Sequence, residues 1–278
     1  MILITALITP FTEDNKIDYE SFDRVLEYQK EKGINDIVLF GSTGEGFSLS
    51  MEEKKEILEY IGNKHNDLRV IVNVGGNNID RVKEEISEII KYNYVKKIMI
   101  STPYYLKPCQ EGLYKYFVSI LSEFKKTSFI LYNVPSRTCV NLLPETIIRI
   151  RKVCCNIGGI KEASGDLKQI KELVINNFIV YSGDDENCLE GMRLGCNGLI
   201  SVASNIYINE MIEVMRGNKL MNEIMSDRYR LLFLESNPKC IKYIMYKSNL
   251  IKNNILRLPL VEISEDNKNR INESLEFV

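Results

Sequence analysis

The chain lacks tryptophan altogether and has a single histidine, His65, among its 278 residues. A lone histidine excludes metal sites built from several histidines and disfavours a Ser-His-Asp catalytic triad. His65 stands between Lys64 and Asn66 in a polar stretch, which predicts that its imidazole lies on the protein surface. We therefore expect the chemistry of this chain to depend on other side chains.

An excess of charge of one sign is also missing, because 36 basic and 38 acidic residues leave a net charge of −2. This balance predicts no binding to nucleic acid or to an anionic membrane surface. No apolar run approaches the roughly 20 residues that a membrane-spanning helix needs. The apolar start, MILITALITPF, has no basic residues ahead of it and is interrupted by Pro10. We interpret it as a first strand rather than a signal peptide.

The seven cysteines are odd in number, and no two of them form a C-x-x-C pair. This usage predicts free thiols in a protein of the reducing cytoplasm rather than a disulfide framework. Hydrophobic residues make up 45% of the chain, which is enough for a large core. The length fits one large domain or two small ones, and single (β/α)8 barrels commonly have about 250 residues.

Short apolar runs rich in Val and Ile alternate along the chain with longer segments of helical period. Continuous apolar runs of this kind are typical of parallel strands that are covered on both faces. The eight predicted strands are 2–8, 36–40, 70–74, 97–100, 129–132, 157–160, 178–181 and 198–202. Between them, Ser50 and Glu53 form the pattern of a capping box, and Pro144 suits the first turn of a helix.

Eight alternating strands and helices predict an α/β protein of the (β/α)8 TIM-barrel class. The structural alternative is an open, doubly wound sheet, which normally carries a G-x-G-x-x-G motif after its first strand, and this chain has none there. After residue 202 the pattern is helical to the end. We expect a barrel over 1–220 that carries the active site, followed by a helical extension over 221–278.

The chemistry of such a barrel lies at the carboxyl ends of its strands. Lys161 directly follows the sixth predicted strand, so its ammonium is predicted to point into the mouth of the barrel. Desolvation disfavours the charged form of a lysine and makes the amine a nucleophile toward a carbonyl. The alternatives are a lysine that extends to water or one that pairs with an acid such as Glu162.

A glycine-rich turn, Gly-Ser-Thr-Gly-Glu-Gly at 41–46, follows the second predicted strand. Bared backbone N–H groups and the hydroxyls of Ser42 and Thr43 are suited to binding a carboxylate or a phosphate. Glycine-rich turns between a strand and a helix also occur for steric reasons alone, so the pattern leaves both interpretations open.

Further polar side chains follow other strands. Tyr132 ends the fifth strand, where an inward hydroxyl can shuttle protons, and Arg137 on the next loop can clamp a carboxylate or form a loop salt bridge. Tyr104 and Tyr105 follow the fourth strand and, taken singly, are read as packing residues. Asp184 follows the seventh strand and suits the N-cap of a helix. The pattern as a whole predicts a catalytic barrel mouth.

These residues fall within longer segments that are distinctive. The segments are TALITPF at 5–11, GSTGE at 41–45, TPYYLKPCQEGLYKYF at 102–117, ILYNVPSRT at 130–138, LLPET at 142–146, GGIKEASGD at 158–166, YSGDD at 181–185 and RLPL at 257–260. On these segments, which extend over nearly the whole length, the chain resembles the dihydrodipicolinate synthase family. That family belongs to the wider group of pyruvate aldolases that includes N-acetylneuraminate lyase.

The resemblance implies a lyase that forms a Schiff base. Lys161 attacks the ketone of pyruvate and yields an imine and then an enamine. Tyr132 shuttles protons, which pass through the hydroxyl of Ser42 and through Tyr105. The tyrosine that matches Tyr105 is contributed by the neighbouring subunit, so the resemblance implies a dimer at least. Members are usually homotetramers arranged as a dimer of dimers.

The resemblance also implies how the substrates are held. Thr43 binds the pyruvate carboxylate, Arg137 orients the carboxylate of L-aspartate 4-semialdehyde, and Gly183 and Ile200 complete the substrate-binding set. The product, 4-hydroxytetrahydrodipicolinate, lies on the route to diaminopimelate and lysine. No metal or diffusible cofactor is implied, since the only covalent group is pyruvate on Lys161.

Two alternatives remain at this point. Synthases usually have threonine where this chain has Ser42, and N-acetylneuraminate lyases often have serine, so a sibling 2-keto acid aldolase is one alternative. Arg137 opposes it, because the sialic acid lyases lack PSRT after the tyrosine. The retained hydroxyl permits proton relay, and the missing β-methyl loosens the rotamer, which predicts a modest rate effect. The other alternative, a catalytically silent barrel, is expected to have lost Lys161 or Tyr132.

The chain also departs from the family at the positions that bind lysine in lysine-inhibited members. Lysine-inhibited members bind lysine at a subunit interface through histidines and a glutamate. The matching positions here are Met51, Lys54 and Arg81, whereas Asn77 and Tyr104 are retained. Two cations in place of neutral or acidic contacts repel the lysine ammonium. We therefore expect an enzyme that is insensitive to lysine.

Overall fold

The computed structural model describes residues 1–275 of the chain. Eight parallel strands pair in chain order, and the eighth pairs with the first to close the barrel. The strands are β1 Ile2–Ala6, β2 Asp36–Leu39, β3 Arg69–Val74, β4 Val95–Ser101, β5 Phe129–Asn133, β6 Ile157–Glu162, β7 Val180–Ser182 and β8 Gly198–Ser201. The predicted (β/α)8 barrel is confirmed, and the open sheet is excluded.

Twelve helices accompany the strands within residues 1–275. They are α1 Tyr19–Glu31, α2 Met51–Lys64, α3 Ile79–Ile89, α4 Gln110–Glu123, α5 Pro135–Thr138, α6 Pro144–Arg151, α7 Leu167–Ile175, α8 Cys188–Leu194, α9 Ile208–Met215, α10 Lys219–Leu232, α11 Lys239–Lys247 and α12 Glu265–Leu275. None of them is long and apolar enough to cross a membrane. The capping box is confirmed, since Ser50 and Glu53 each bond the backbone of the other at the start of α2.

Two apolar layers hold the barrel together. The larger layer packs the outward side chains of the strands against the surrounding helices. The smaller layer fills the inside of the barrel and consists of Ile4, Ala6, Val38, Ile71, Met99, Ile130, Tyr132, Val134, Tyr181 and Ile200. Because side chains alternate along a strand, neighbouring residues enter different layers. This alternation sends Lys161 inward and Glu162 outward.

His65 contradicts the predicted surface position, because only 1% of this residue is exposed. It caps the C-terminal end of α2, and its Nε2 lies 2.7 Å from a carboxylate oxygen of Asp23 on α1. Burial of an imidazole is tolerated when a ring nitrogen has a hydrogen-bond partner. Asp23 is far away in the sequence, so the polar neighbours of His65 did not reveal this pairing.

Beyond β8 the chain forms α9, α10, α11 and α12, but residues 248–264 between α11 and α12 are not helical, so the prediction of a helical pattern to the end was wrong there. The domain boundary predicted at residue 220 stays a prediction, although α10 begins close to it, at Lys219. The segment around α11 reaches back over the carboxyl ends of the strands. There Asn237 contacts Thr43 and Lys242 contacts Glu45, so this segment helps to build the mouth of the barrel.

Candidate active site

A pocket of about 630 Å³ opens at the carboxyl ends of the strands. Its walls include side chains from the turns or ends of β2, β5, β6 and β7, together with residues of α10 and the segment that follows it. Six of the predicted catalytic and substrate-binding residues line this pocket: Ser42, Thr43, Tyr132, Arg137, Lys161 and Gly183. Asp184 lines it too. The closed barrel thus brings together residues that are far apart in the sequence, such as Ser42 and Gly183, which are separated by 141 positions.

Lys161 is the nucleophile candidate, and it lies at the inner wall of this pocket. It is only 6% exposed, and its Nζ lies 4.3 Å from the centroid of the Tyr132 ring. The two residues are direct neighbours in register on β5 and β6. A weakly solvated amine beside a tyrosine is a suitable arrangement for attack on a carbonyl with nearby proton transfer.

Glu162 is not the partner of Lys161, because its side chain points to the other side of β6. Its carboxylate accepts hydrogen bonds from Asn133 Nδ2 at 3.1 Å and from the Ser164 backbone N–H at 2.8 Å. Burial raises the pKa of the Glu162 carboxyl, and these hydrogen bonds oppose that rise. Asn133 also accepts from the backbone N–H of Leu142 at 2.9 Å, so this buried group ties the ends of β5 and β6 to the following loop.

Gly183 is glycine for a steric reason that involves the lysine directly. A Cβ at this position would lie 2.7 Å from Ala163 Cβ and only 3.0 Å from Lys161 Cε. The backbone N–H of Gly183 donates to the Glu162 carbonyl at 2.8 Å, which holds it against β6. The missing side chain therefore leaves the volume through which the Lys161 side chain passes.

The turn at 41–46 confirms the steric interpretation, and its binding of a carboxylate or phosphate stays a prediction. A Cβ at Gly46 would lie 1.9 Å from the carbonyl oxygen of Phe40, so this glycine is required sterically. Ser42 and Thr43 nevertheless line the pocket, and Thr43 is 3% exposed. The Thr43 hydroxyl accepts a hydrogen bond from Asn237 Nδ2 at 2.9 Å, which orients it.

Arg137 lies on α5 and reaches the mouth of the same pocket. Its guanidinium donates to the backbone carbonyl of Asn237 at 3.3 Å. Asn237, which is 5% exposed, thereby connects Arg137 with Thr43, and the sequence analysis missed it. The only local signal was an asparagine before Pro238, which by itself indicates no more than a turn.

Ile200 and Tyr105 lie outside the group that lines the pocket. Ile200 is 1% exposed and belongs to the apolar layer inside the barrel, together with Tyr132. Tyr105 is 86% exposed and has a φ of +69°, a backbone conformation that a bulky residue rarely adopts. It is flanked by exposed Leu106, and Phe47 packs edge-on against Tyr104 at 5.4 Å. We call Phe47, Tyr104, Tyr105 and Leu106 the aromatic patch.

Asp184 is not a helix N-cap, so that prediction was wrong. The N-cap residue of α8 is Asn187, and Asp184 instead accepts from the Glu186 backbone N–H at 3.1 Å and from Asn187 Nδ2 at 2.8 Å. The neighbouring Asp185 is buried and accepts from the backbone N–H groups of Val202 and Ala203. This loop ties the end of β7 to the end of β8.

Comparison with known proteins identifies the family of the chain. The sequence profile of the dihydrodipicolinate synthetase family matches residues 2–277. The 4-hydroxy-tetrahydrodipicolinate synthase of Coxiella burnetii is 37% identical over 284 residues, which cover 99% of this chain and 97% of that protein. The crystal structure of dihydrodipicolinate synthase from Aquifex aeolicus superposes with a TM-score of 0.92 at 32% identity, over 99% of this chain and 96% of that one.

A third relative has been solved in complex with pyruvate. The chloride-inhibited dihydrodipicolinate synthase of Acinetobacter baumannii, in complex with pyruvate, is 35% identical with a TM-score of 0.91. The match covers 98% of this chain and 97% of that one.

Proposed function

The chain belongs to the dihydrodipicolinate synthetase family, and we propose from this premise that it is a lyase that condenses pyruvate with L-aspartate 4-semialdehyde. The product is 4-hydroxy-tetrahydrodipicolinate, in the diaminopimelate route to lysine. The observation that carries the proposal is the buried Lys161, whose amine lies 4.3 Å from the Tyr132 ring centroid inside the pocket. The sibling sialic acid lyase is not favoured, because the relatives compared above are synthases.

The covalent chemistry is assigned to Lys161. Its neutral amine attacks the ketone carbon of pyruvate, and the resulting carbinolamine loses water to give an imine. Removal of a methyl proton converts the imine to an enamine, whose carbon attacks the aldehyde of the second substrate and forms the new C–C bond. The amino group of that substrate then displaces Lys161 from the imine carbon, which closes the ring and regenerates the amine. We propose no cofactor beyond this covalent link.

Proton transfer is assigned to Tyr132, with Ser42 as the next hydroxyl. Each of the steps above moves a proton to or from oxygen, nitrogen or carbon, so a hydroxyl beside the amine lowers several barriers. Support for this role comes from the register of the strands, which places Tyr132 on β5 next to Lys161 on β6. Ser42 lies on the wall of the same pocket.

Substrate binding is assigned to Thr43, Arg137, Gly183 and Ile200. Thr43 offers an oriented hydroxyl for the pyruvate carboxylate, and Arg137 offers a guanidinium for the carboxylate of the aldehyde at the pocket mouth. Gly183 provides room beside Lys161, and Ile200 supports the barrel layer beneath Tyr132. Binding of the two carboxylates by Thr43 and Arg137 places the ketone and the aldehyde in the pocket that contains Lys161.

The test is an assay of the purified protein with pyruvate and L-aspartate 4-semialdehyde, coupled to a dihydrodipicolinate reductase that oxidises a nicotinamide cofactor. Turnover that depends on both substrates supports the synthase. Borohydride trapping of pyruvate without turnover would retain the Schiff-base chemistry and reassign the aldehyde. Failure of both measurements would contradict the proposed function.

We further propose that the active form is at least a dimer in which Tyr105 of one copy completes the pocket of the other, within a dimer-of-dimers tetramer. The support is the aromatic patch, which exposes Tyr105 and Leu106 to solvent, and the unfavourable φ of Tyr105. Exposed aromatic side chains in an unfavourable backbone conformation are characteristic of contact sites.

A mixing experiment tests this arrangement. Tyr105→Phe is expected to lower turnover by about 10²-fold because it removes a proton-transferring hydroxyl. A Lys161→Ala chain can still donate its tyrosine, so one pocket of each hybrid dimer contains both groups. An equal mixture, refolded together, is expected to recover up to roughly a quarter of the wild-type rate. Hybrids captured through a tag that remain inactive would contradict a role for Tyr105 across the interface.

Insensitivity to lysine is a separate prediction. Lys54 pairs with Glu85 at 2.7 Å, which ties up a carboxylate of α3, while Arg81 is exposed at the start of α3. The Arg81 cation repels a lysine ammonium, and the pairing of Lys54 leaves the Glu85 carboxylate less able to attract one. Turnover is therefore expected to stay constant as L-lysine is titrated into the millimolar range. Clear inhibition in that range would show that the prediction is wrong.

A further inference from the structure

A buried ion pair joins the turn at 41–46 to the helices that follow the barrel. Lys242 on α11 is 0% exposed, and its Nζ contacts the carboxylate of Glu45, which is 5% exposed. The same ammonium donates to the Ile255 carbonyl at 2.9 Å, and the Arg257 backbone N–H donates to the second oxygen of Glu45 at 3.0 Å. The carboxylate of Glu45 is thus held on both oxygens by the C-terminal segment.

Glu45 determines the shape of the turn that presents Ser42 and Thr43. It has a left-handed φ of +50°, which is unfavourable for a non-glycine residue and needs support from its surroundings. Its backbone N–H donates to the Ser42 carbonyl at 3.2 Å, and its own carbonyl accepts from Ser48 N at 2.9 Å. Holding the Glu45 side chain therefore also holds the backbone of Ser42.

The same helix controls the Thr43 hydroxyl. The Lys242 backbone N–H donates to the Pro238 carbonyl at 3.1 Å, so Lys242 lies one helical turn after Pro238, the residue next to Asn237. Asn237 in turn donates to the Thr43 hydroxyl at 2.9 Å. A shift of the start of α11 would therefore move the hydrogen-bond donor of Thr43 and the counter-ion of Glu45 together.

A buried ion pair of this kind is not needed for stability as such, because desolvation of both ions offsets much of their attraction. Burial lowers the pKa of Lys242 to about 8, while the Glu45 carboxylate beside it raises that pKa. The ammonium also lies 4.3 Å from the centroid of the Phe11 ring. Apolar side chains of similar size would fill this space, so the stability of the fold alone does not account for the two charges.

We propose that Lys242 and Glu45 are positioning residues that set the Ser42–Thr43 turn for binding of the pyruvate carboxylate. The inference rests on the proposed function, since it concerns the affinity of the same pocket for a 2-keto acid. In the part of the chain that the structure describes, the residues lining that pocket include neither of the two. Both therefore act through the turn and not by contact with substrate.

The experiment compares the wild type with the double variant Lys242→Met/Glu45→Gln, which removes both charges and leaves no unpaired buried ion. A loss of positioning weakens ground-state binding of pyruvate more than the chemical step, so the KM for pyruvate is expected to rise about tenfold with kcat changed less than about threefold. The KM for the aldehyde, whose carboxylate is assigned to Arg137, is expected to stay near its wild-type value.

A matched control removes a different ion pair between helices. Arg228 on α10 pairs with Glu210 on α9 at 3.0 Å, and neither residue lines the pocket of Lys161 within residues 1–275. Arg228→Met/Glu210→Gln is expected to leave the KM for pyruvate unchanged. An equal rise in the KM for pyruvate in the control would mean that losing any ion pair between helices loosens the fold enough to weaken binding. That result would overturn the proposal.

Borohydride trapping separates this inference from the proposed function, because it needs pyruvate and no aldehyde. If the wild type is not trapped at all, the proposed function fails first. If it is trapped, and the double variant has the same half-saturating pyruvate concentration, the positioning role is wrong. Should the double variant not fold, Lys242→Gln/Glu45→Gln decides on the same readout, since it also removes both charges and leaves two amides that can hydrogen-bond to each other.

Discussion

Replacement of Lys161 by alanine is expected to lower turnover by about 10⁴-fold or more, because the variant has no amine to form the covalent intermediate. The pocket contains Lys161 beside Tyr132 and Gly183, and the cavity left by the shorter side chain opens to that pocket. The coupled assay measures the loss of turnover, and mass spectrometry after borohydride reduction with pyruvate is expected to show no adduct. The melting temperature is expected to change little, since Lys161 is not part of the apolar layers.

Lys97→Ala is the matched control for that experiment. Lys97 is half-buried near the start of β4, where its Nζ donates to the Gly158 carbonyl at 3.0 Å and lies 5.8 Å from the centroid of the Tyr181 ring. Its place at the other end of the strands predicts a normal adduct and normal turnover. An adduct that persists in Lys161→Ala and disappears in Lys97→Ala would reassign the nucleophile.

Replacement of Tyr132 by phenylalanine is expected to lower kcat by about 10²–10³-fold, because it removes a hydroxyl that transfers protons in several steps. The ring remains and continues to pack in the apolar layer inside the barrel, where Tyr132 is 6% exposed. The nucleophile is untouched, so pyruvate is still expected to be trapped by borohydride, but more slowly. Turnover and the rate of adduct formation, measured on the same preparation, separate the two contributions.

Tyr181→Phe removes the hydroxyl of a second tyrosine in the same apolar layer. Tyr181 is 4% exposed on β7, and Lys97 lies near its ring. Burial raises the pKa of this tyrosine, which makes it a poor proton donor. Its loss is expected to leave kcat nearly unchanged. Comparable losses in both variants would mean that the effect of Tyr132→Phe comes from packing and not from proton transfer.

Most of the site could be predicted from the sequence because of a property of parallel barrels. All eight strands run in the same direction, so their carboxyl ends all lie on one rim of the barrel. Ser42, Tyr132 and Lys161 follow or end three different strands, and the closed barrel brings them to one pocket. For these residues, recognising a strand end was sufficient.

The parts that could not be predicted depend on partners that are distant along the chain. Asn237 and Thr43 are 194 residues apart, and Lys242 and Glu45 are 197 residues apart. Neither pairing produces a periodic pattern or a motif, since side-chain contacts between separate elements depend on how those elements pack. His65 was misplaced for the same reason, because Asp23 on another helix makes its burial possible.

By itself, the sequence determined the barrel, because apolar periodicity is a local property that persists in a closed sheet. Its place after the sixth predicted strand made Lys161 a nucleophile candidate, and the family resemblance supplied the proposed role. The sequence could not rank Lys97, Lys161 and Lys242 by environment, although all three are at least half-buried. Tertiary structure decided that one donates to a carbonyl near the start of β6, one pairs with Glu45, and one faces the pocket beside Tyr132. The reason is physical: the behaviour of a buried amine depends on the groups that surround it in space, and packing alone brings those groups together.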